Sequence, residues 1–233
     1  MVVNYDDFAK KFAESRKNMK WQEIDYFVSN YLKWSLDWKN ILDVGCWSGR
    51  LTPVLNSKNS TPVLVWVDLS KELLKEAKKN YPKNHFFHLN MLDLDKIYDL
   101  DLQKELKEKI KNWFDYIFFI ASFHHLDSLE DRKKVLQKTY NILKNDWIVF
   151  MTNWALNSEI NKEKYFDSII KWTKNEFWSL DYNIKFWKNF RYYHCFSLEE
   201  LEYLFRETWF KILENRLFDN KRNFISIIQK KWD

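Results

Sequence analysis

A short glycine-containing turn follows the first apolar segment of the chain. Residues 41–50 read ILDVGCWSGR, so that an apolar run ends at Asp43 and the pair Gly45 and Gly49 brackets the turn. A turn of this kind lets backbone N–H groups approach a nucleotide-type ligand closely. An acidic residue, Asp68, ends the next apolar segment about 20 residues later, where it can accept hydrogen bonds from ribose hydroxyls. We therefore predict a nucleotide-type cofactor site at this turn.

Trp47 stands in the middle of the turn, at a position that suits a residue with almost no side chain. The chain has 13 tryptophans and only 2 glycines, whereas the usual frequency of about 7% predicts roughly 16 glycines. Turns that need a positive φ strain any other residue. Further tryptophans occupy turn-like positions or break an otherwise regular segment, namely Trp38, Trp66, Trp147, Trp178, Trp187 and Trp209.

One explanation covers this distribution of tryptophans. In some bacteria the codon UGA encodes glycine, and translation with a code that reads UGA as tryptophan would replace many glycines. The richness in Lys, Asn, Ile, Phe and Tyr fits an A+T-rich gene. The alternative is a chain whose tryptophans are native. We expect Trp21 and Trp154 to be genuine, because aromatic side chains suit their surroundings.

The elements that must position this turn alternate along the chain. Continuous apolar segments predict strands, and apolar residues at helical spacing predict the segments between them as helices. Strands buried along their whole length indicate a parallel sheet covered on both faces. The predicted strands are 40–44, 62–67, 85–89, 116–121, 148–153, 210–216 and 223–229. The predicted helices are 6–16, 24–33, 50–55, 70–80, 102–111, 129–143 and one that starts at 197.

These elements predict an α/β fold. It is a doubly wound, Rossmann-like, mostly parallel sheet of seven strands, in which the last two form an antiparallel hairpin. We divide the chain into N-terminal helices (1–35), a cofactor-binding core (36–155), and a substrate-side insertion with the C-terminal strands of the same domain (156–233). The aromatic stretch 157–196 is predicted to be irregular. A length of 233 residues suits one domain with a full core.

Charge and cysteine content narrow the function classes. The net charge of +5 allows an anionic partner such as RNA, although an ordinary lysine-rich surface gives the same value. The segment 1–20 is polar and unlike a signal peptide, and no run of about 18 apolar residues predicts a membrane span. Cys46 and Cys195 form no CxxC pair, so that we expect no disulfide framework and no metal site. A cytoplasmic protein is the expectation.

The segment 38–155 resembles class I S-adenosylmethionine-dependent methyltransferases of the type 11 kind. The resemblance rests on D-V-G-C-x-S-G-R, with its Asp on the first strand, and on the acid that ends the second strand. It implies S-adenosyl-L-methionine as cofactor. NAD binding is the rival interpretation, which the Asp on the first strand disfavours. By position the resemblance implies which residues contact each part of the cofactor. The methionine end would contact Asp43, Gly45, Trp47, Gly49 and Arg50, and the ribose would contact Asp68. The adenine would contact Leu69, Asn90 and Met91, and Ala121 would lie beside the reacting methyl group.

Two later motifs resemble a narrower family. F-H-H-L at 123–126 follows the fourth strand, and R-Y-Y-H-C-F at 191–196 precedes the late helix. In this order they are similar to the tRNA methyltransferases that esterify carboxymethyluridine at the wobble position. That resemblance implies tRNA as the partner, and we add a small activating subunit as a further candidate.

The catalytic residues expected from this resemblance are Arg191, His194 and His124. A guanidinium can hold a carboxylate through two parallel hydrogen bonds, and a histidine can orient it. Other interpretations stay open. Arg191 can be an ordinary surface arginine, and at least one of His124 and His125 can be structural. The protein can also be a methyltransferase of small carboxylates or quinones, or a cofactor-binding protein without catalysis.

Overall fold

The computed structural model describes residues 5–6, 9–16, 19, 21–32, 36–56, 60–111, 113–171 and 176–231. Its strands are β1 (Asn40–Val44), β2 (Val63–Asp68), β3 (His85–His88), β4 (Phe114–Ile120), β5 (Leu143–Trp154), β6 (Ile169–Lys171), β7 (Leu180–Phe186), β8 (Asn189–Cys195), β9 (Phe210–Leu217) and β10 (Asn223–Lys230). Its α-helices are α1 (Ala9–Arg16), α2 (Gln22–Tyr31), α3 (Thr52–Asn56), α4 (Lys71–Asn80), α5 (Lys104–Ile110), α6 (Leu129–Ile142), α7 (Lys162–Tyr165) and α8 (Leu198–Glu207).

Seven strands form the main sheet in the order β3-β2-β1-β4-β5-β10-β9. The strands β1 to β5 pair in parallel, and β10 pairs antiparallel with both β5 and β9. The predicted doubly wound fold with its antiparallel C-terminal hairpin is therefore confirmed. The chain order reverses between β1 and β4, so that a crevice opens at the carboxyl ends of these two strands.

Apolar residues cover both faces of the sheet. All seven residues of β4 are buried, as expected for a central strand between two layers of helices. One apolar cluster includes Phe119, Leu136 and Leu204, and the other includes Phe27, Phe118 and Phe150. Alternate residues of the same strand therefore pack into the two cores on opposite faces of the sheet, and this fixes the register of each strand. The result holds the strand ends rigidly at the crevice.

The prediction that 157–196 is irregular is wrong. This stretch forms β6, β7 and β8, which make a second sheet of three antiparallel strands. A two-residue loop after Phe186 joins β7 to β8, and its first residue, Trp187, has a φ of 60°. Such a hairpin loop usually shows a glycine at this place. Because the sequence has a tryptophan there, the usual turn signal was missing.

Tryptophans account for most of the left-handed backbone in the described part of the chain. Nine non-glycine residues there have a positive φ, and six of them are tryptophans: Trp38, Trp47, Trp113, Trp178, Trp187 and Trp209. Residues other than Gly, Asn and Asp rarely adopt this conformation. Trp66 and Trp147 differ from our expectation. Trp66 is buried inside β2, and Trp147 lies inside β5, where the positive φ belongs to Asp146.

No helix within the described ranges has both the length and the apolar character that crossing a bilayer requires.

We predict that Trp38→Gly and Trp178→Gly each raise the free energy of unfolding by about 1 kcal/mol, because a left-handed residue with a side chain costs about 1–2 kcal/mol. Both side chains are largely exposed, at 77% and 72%, so that little packing is lost. Trp154→Gly is the control. Trp154 stacks on Tyr193 with a centroid distance of 5.0 Å, and this change should destabilise by about 2 kcal/mol or more. Chemical denaturation measures all three; equal destabilisation by all would contradict the prediction.

Candidate active site

A cavity of about 460 Å³ lies at the crevice between the carboxyl ends of β1 and β4. Its size falls within the range of small-molecule sites. The residues after β1, β2, β3 and β4 all contribute to its wall, together with the N-terminal pair 5–6. The lining residues are Tyr5, Asp6, Val44, Gly45, Trp47, Asp68, Leu69, Ser70, Leu73, Leu89, Asn90, Met91, Leu92, Ser122, His125, Leu126, Asp127 and Asp131.

Gly45 lies where the end of β1 is in close contact with the end of β4. Its φ is 73°, and a Cβ atom there would lie 2.5 Å from the Cβ of Ser122. The Ser122 hydroxyl donates a hydrogen bond of 2.7 Å to the carbonyl of Val44. Only glycine satisfies both the backbone conformation and the space at this position.

Asp68 lies at the end of β2 and lines the cavity. Its carboxylate accepts hydrogen bonds of 2.8 Å from the backbone N–H of Trp47 and of 2.8 Å from that of Ser70. Burial raises the pKa of Asp68, and the two backbone hydrogen bonds oppose that effect. Each carboxylate oxygen can still accept a further hydrogen bond. Asp68 therefore ties the glycine turn to α4 and offers acceptors to a ligand.

Asp43 lies beneath the turn and is 1% exposed. Neither carboxylate oxygen has a hydrogen-bond partner among the described residues. Burial raises the pKa of Asp43 to about 7, although the nearby Arg50 charge acts in the opposite direction. The Arg50 guanidinium donates a hydrogen bond of 2.7 Å to the Gly45 carbonyl and lies 4.2 Å from the Trp47 ring. A buried carboxylate in this state is suited to a cationic group.

The charge of the cavity wall is negative. Four aspartates line it, at positions 6, 68, 127 and 131, and the described lining contains no lysine or arginine. A cavity with these walls attracts a cation.

Six of the ten predicted cofactor contacts line the cavity: Gly45, Trp47, Asp68, Leu69, Asn90 and Met91. Four do not, namely Asp43, Gly49, Arg50 and Ala121. Gly49 serves the fold, because a Cβ atom there would lie 2.9 Å from the Tyr81 ring. At the end of β4, the neighbour Ser122 faces the cavity instead of Ala121.

The structure adds residues that the sequence did not single out for the cofactor. Tyr5 and Asp6 reach the cavity from the N-terminal segment, and no local pattern reveals this long-range contact. Asp6 accepts a hydrogen bond of 2.6 Å from the Ser70 hydroxyl and one of 3.1 Å from the Glu72 backbone N–H.

His125, rather than His124, faces the cavity. Its Nδ1 lies 2.9 Å from the Tyr192 carbonyl and its Nε2 lies 3.0 Å from the Tyr5 hydroxyl. Burial lowers the pKa of His125 to about 4, so that the ring is neutral at pH 7. Because a carbonyl can only accept, the proton is on Nδ1, and the Tyr5 hydroxyl donates to Nε2.

His124 does not line the cavity. It is 1% exposed, and its Nδ1 accepts a hydrogen bond of 3.1 Å from the Trp154 backbone N–H. Burial lowers the pKa of His124 well below its ordinary value. A catalytic contact for His124 stays a prediction.

The motif at 191–196 divides between two faces of β8, because successive side chains of a strand point in opposite directions. Arg191 and Tyr193 share one face. Arg191 is 3% exposed, and its guanidinium lies 5.2 Å from the Tyr193 ring. Arg191 does not itself line the cavity, but it lies close enough to the Tyr5 hydroxyl, which does, to lower the pKa of that hydroxyl against the effect of burial.

His194 lies on the other face of β8, and the structure does not bring it to the cavity. Its Nδ1 is 2.7 Å from Asp181, and its Nε2 is 2.8 Å from Glu200. Glu200 in turn accepts a hydrogen bond of 2.9 Å from Arg132. Burial opposes ionisation of Glu200, but the His194 and Arg132 contacts prevail and lower its pKa. His194 thus ties β7 and β8 to α6 and α8, and its predicted catalytic contact stays a prediction.

Known proteins are similar to the part of the chain that contains this site. Residues 42–146 match the profile of a family described as a methyltransferase domain. The juvenile hormone acid O-methyltransferase of Bombyx mori is 27% identical over 117 residues, which are 49% of this chain and 38% of that protein. The chain therefore spans about two fifths of that relative.

Solved structures share the fold. The 1,6-didemethyltoxoflavin-N1-methyltransferase of Burkholderia thailandensis, solved with S-adenosylhomocysteine, has a TM-score of 0.63 at 15% identity, over 97% of this chain and 86% of its own. A second structure is a complex from Haloferax volcanii between the Trm112 methyltransferase activator and a methyltransferase candidate. Its matching chain has a TM-score of 0.66 at 11% identity, and the match covers 99% of this chain and 97% of that chain.

The glycine turn and all lining residues of the cavity except Tyr5 and Asp6 lie within the segment that matches this methyltransferase domain family. The predicted methyltransferase domain agrees with this match. The residues present fit the cofactor. Asp68 offers acceptors to a ribose, and Leu69 and Met91 offer apolar surface to a base.

We predict that Asp68→Ala weakens S-adenosylhomocysteine binding by about 1–3 kcal/mol, the usual cost of losing a hydrogen bond to a charged group. Isothermal calorimetry in a Trp47→Gly background measures it, because the indole lines the same cavity. Asp115→Ala is the control. Asp115 is also buried and accepts from a backbone N–H, that of Asn40, at the opposite end of the sheet. It should change stability and not affinity; undiminished binding by Asp68→Ala would remove this residue from the site.

Proposed function

We propose that this protein is an enzyme that transfers the methyl group of S-adenosylmethionine to the carboxylate of a modified wobble uridine in tRNA. The observation that carries this proposal is the buried Arg191 guanidinium, which meets the cavity through Tyr5. The cavity has negatively charged walls, whereas Arg191 beside it is positively charged, so that the two places bind groups of opposite charge. The cavity suits a cationic cofactor, and Arg191 suits an anionic acceptor.

Methyl transfer to a carboxylate does not require a general acid or a general base from the protein. The cofactor supplies an electrophilic methyl group on a sulfonium. A carboxylate with a pKa near 4 is already ionised at pH 7 and needs no general base. The neutral His125 agrees with this, since a pKa of about 4 makes it a weak base. The residues of this chain therefore orient the acceptor and exclude water.

A small carboxylic acid is the second candidate acceptor. The B. mori relative is named for methylation of an acid oxygen, and its similarity covers 49% of this chain. The same anchor, Arg191, would hold either acceptor. The two candidates differ in whether the methyl group is recovered in tRNA or in small molecules.

Two further proposals concern the setting of the enzyme. The likeness to the chain from the Trm112 complex supports a small activating subunit as a partner. The proposed tRNA substrate favours a cytoplasmic location. The proposed domain limits are those of the sequence, 1–35, 36–155 and 156–233.

We predict that Arg191→Ala lowers kcat/KM for tRNA about 100-fold, because a misplaced acceptor costs about that much in rate, while cofactor affinity is unchanged. Arg191→Lys keeps the charge and loses the planar fork, and it should restore little. Arg206→Ala is the control, since Arg206 is an exposed arginine that pairs with Glu202. The assay is transfer of labelled methyl to tRNA from a strain lacking the ester, followed by nucleoside analysis. Label confined to small-molecule extracts would exclude the tRNA proposal.

We also propose that the natural protein has glycine at several of the tryptophan positions, through a UGA codon that encodes glycine. Six of the ten tryptophans in the described part have a positive φ, which supports the proposal at positions 38, 47, 113, 178, 187 and 209. The backbone gives no such support at positions 66 and 147.

We predict that Trp47→Gly raises the affinity for S-adenosylhomocysteine at least about tenfold, because the indole lines the cavity beside the turn and a bulky residue there competes with the ligand for space. Calorimetry on both forms measures it. The codons of the gene are the independent check: UGA is expected at the six positive-φ positions, and UGG at position 154. UGG at all of them, with equal affinities, would mean that the tryptophans are native.

A further inference from the structure

Two neighbouring residues of the N-terminal segment connect the two halves of the site. Asp6 contacts the cofactor side, because its carboxylate accepts from the Ser70 hydroxyl and from the Glu72 backbone N–H at the start of α4. Ser70 is the same residue whose backbone N–H binds Asp68. Tyr5 contacts the acceptor side, at His125 and Arg191. Both Tyr5 and Asp6 line the cavity.

On the acceptor side, the hydrogen bonds run in one direction. The Nδ1–H of His125 donates to the Tyr192 carbonyl, which leaves Nε2 as an acceptor, and the Tyr5 hydroxyl donates to it. The oxygen of Tyr5 then keeps its lone pairs for donors. Arg191 and Tyr193 are the groups that approach it. The protons of the His125 contacts therefore have defined places, and Tyr5, held by His125, lies against the guanidinium.

We propose that Tyr5 and Asp6 couple cofactor binding to assembly of the acceptor site, with Tyr5 and His125 as positioning residues for Arg191. A cofactor held at Asp68 and Ser70 stabilises the docked position of Asp6. Because Tyr5 is the next residue, the same docking places its hydroxyl between His125 and Arg191. The acceptor then meets an oriented guanidinium only when the cofactor is bound. This proposal rests on the anchoring role proposed above for Arg191.

The coupling has a thermodynamic consequence. If the cofactor favours the docked segment, and the docked segment favours the acceptor, then each ligand must raise the affinity of the other by the same factor. Couplings of this kind are typically 5-fold or more. A segment that only covered the cofactor would change the affinity for one ligand and leave the other unaffected.

The first experiment does not depend on the identity of the acceptor. Amide hydrogen exchange is measured on the full chain with Trp47→Gly, with and without S-adenosylhomocysteine. We expect protection in the glycine turn and at the start of α4, and also in β8. In the Asp6→Ala variant, protection should persist in the turn and disappear from β8. Protection confined to the turn and α4 in the parent protein would overturn the proposed coupling.

The matched control is Asp37→Ala. Asp37 also joins a loop to a distant backbone N–H, that of Thr61, with a hydrogen bond of 2.6 Å, and it lies before β1 at the opposite end of the sheet. This variant should leave the exchange pattern in β8 unchanged. Loss of β8 protection in Asp37→Ala as well would mean that the effect is general destabilisation, and it would contradict the proposal.

The second experiment measures the coupling with tRNA that lacks the ester. S-adenosylhomocysteine should raise the tRNA affinity about fivefold or more in the parent protein, and less than twofold in Asp6→Ala and Tyr5→Phe. Tyr5→Phe should also lower kcat with little change in cofactor affinity, because the ring stays and only the hydroxyl is lost. Unchanged coupling in both variants would overturn the proposal. Absence of any tRNA methylation alongside protection of β8 would reject the acceptor and retain the coupling.

Discussion

The contact between Gly45 and Ser122 is the constraint on which the site depends. The two strand ends approach so closely that a methyl group at position 45 would overlap Ser122, with its Cβ 2.5 Å away. This approach lets the backbone of the turn reach Asp68 and places Ser122 on the cavity wall. The cavity and the positions of Asp68 and His125 in its wall then follow from where the neighbouring strands end, because parallel strands bring their carboxyl ends to one edge.

The substrate-side sheet is held by buried charge. His194 bridges Asp181 and Glu200, and Glu200 is paired with Arg132 on α6. A buried charge that lost its partner would cost several kcal/mol, so that this network permits one docking position for β7 and β8. That position decides which face of β8 lies toward Tyr5, a residue of the cavity wall. Arg191 and Tyr193 lie on that face, while His194, three residues after Arg191, lies on the other.

The backbone clarifies the unusual composition. Most left-handed residues of the described chain are tryptophans, and several of them are strongly exposed at turns, such as Trp38 and Trp178. A native tryptophan gains little at such a place, whereas glycine avoids the steric cost. Trp154 is different, since it stacks on Tyr193 in extended backbone. The same residue type therefore has two structural meanings in this chain, and local backbone conformation distinguishes them.

The sequence by itself determined the fold class and pointed to six of the residues that line the cavity. Continuous apolar strands and capped helices are local signals, and the turn at Gly45 with Asp68 after the next strand indicated where the cavity lies. Six of the ten predicted contacts line the cavity because they follow directly from the strand ends. What only the tertiary structure decided depends on contacts between distant residues. Tyr5 meets His125 across 120 residues, and the alternation of β8 separates Arg191 from His194. The hairpin of β7 and β8 was missed for a local reason, since a tryptophan occupies its glycine-like turn.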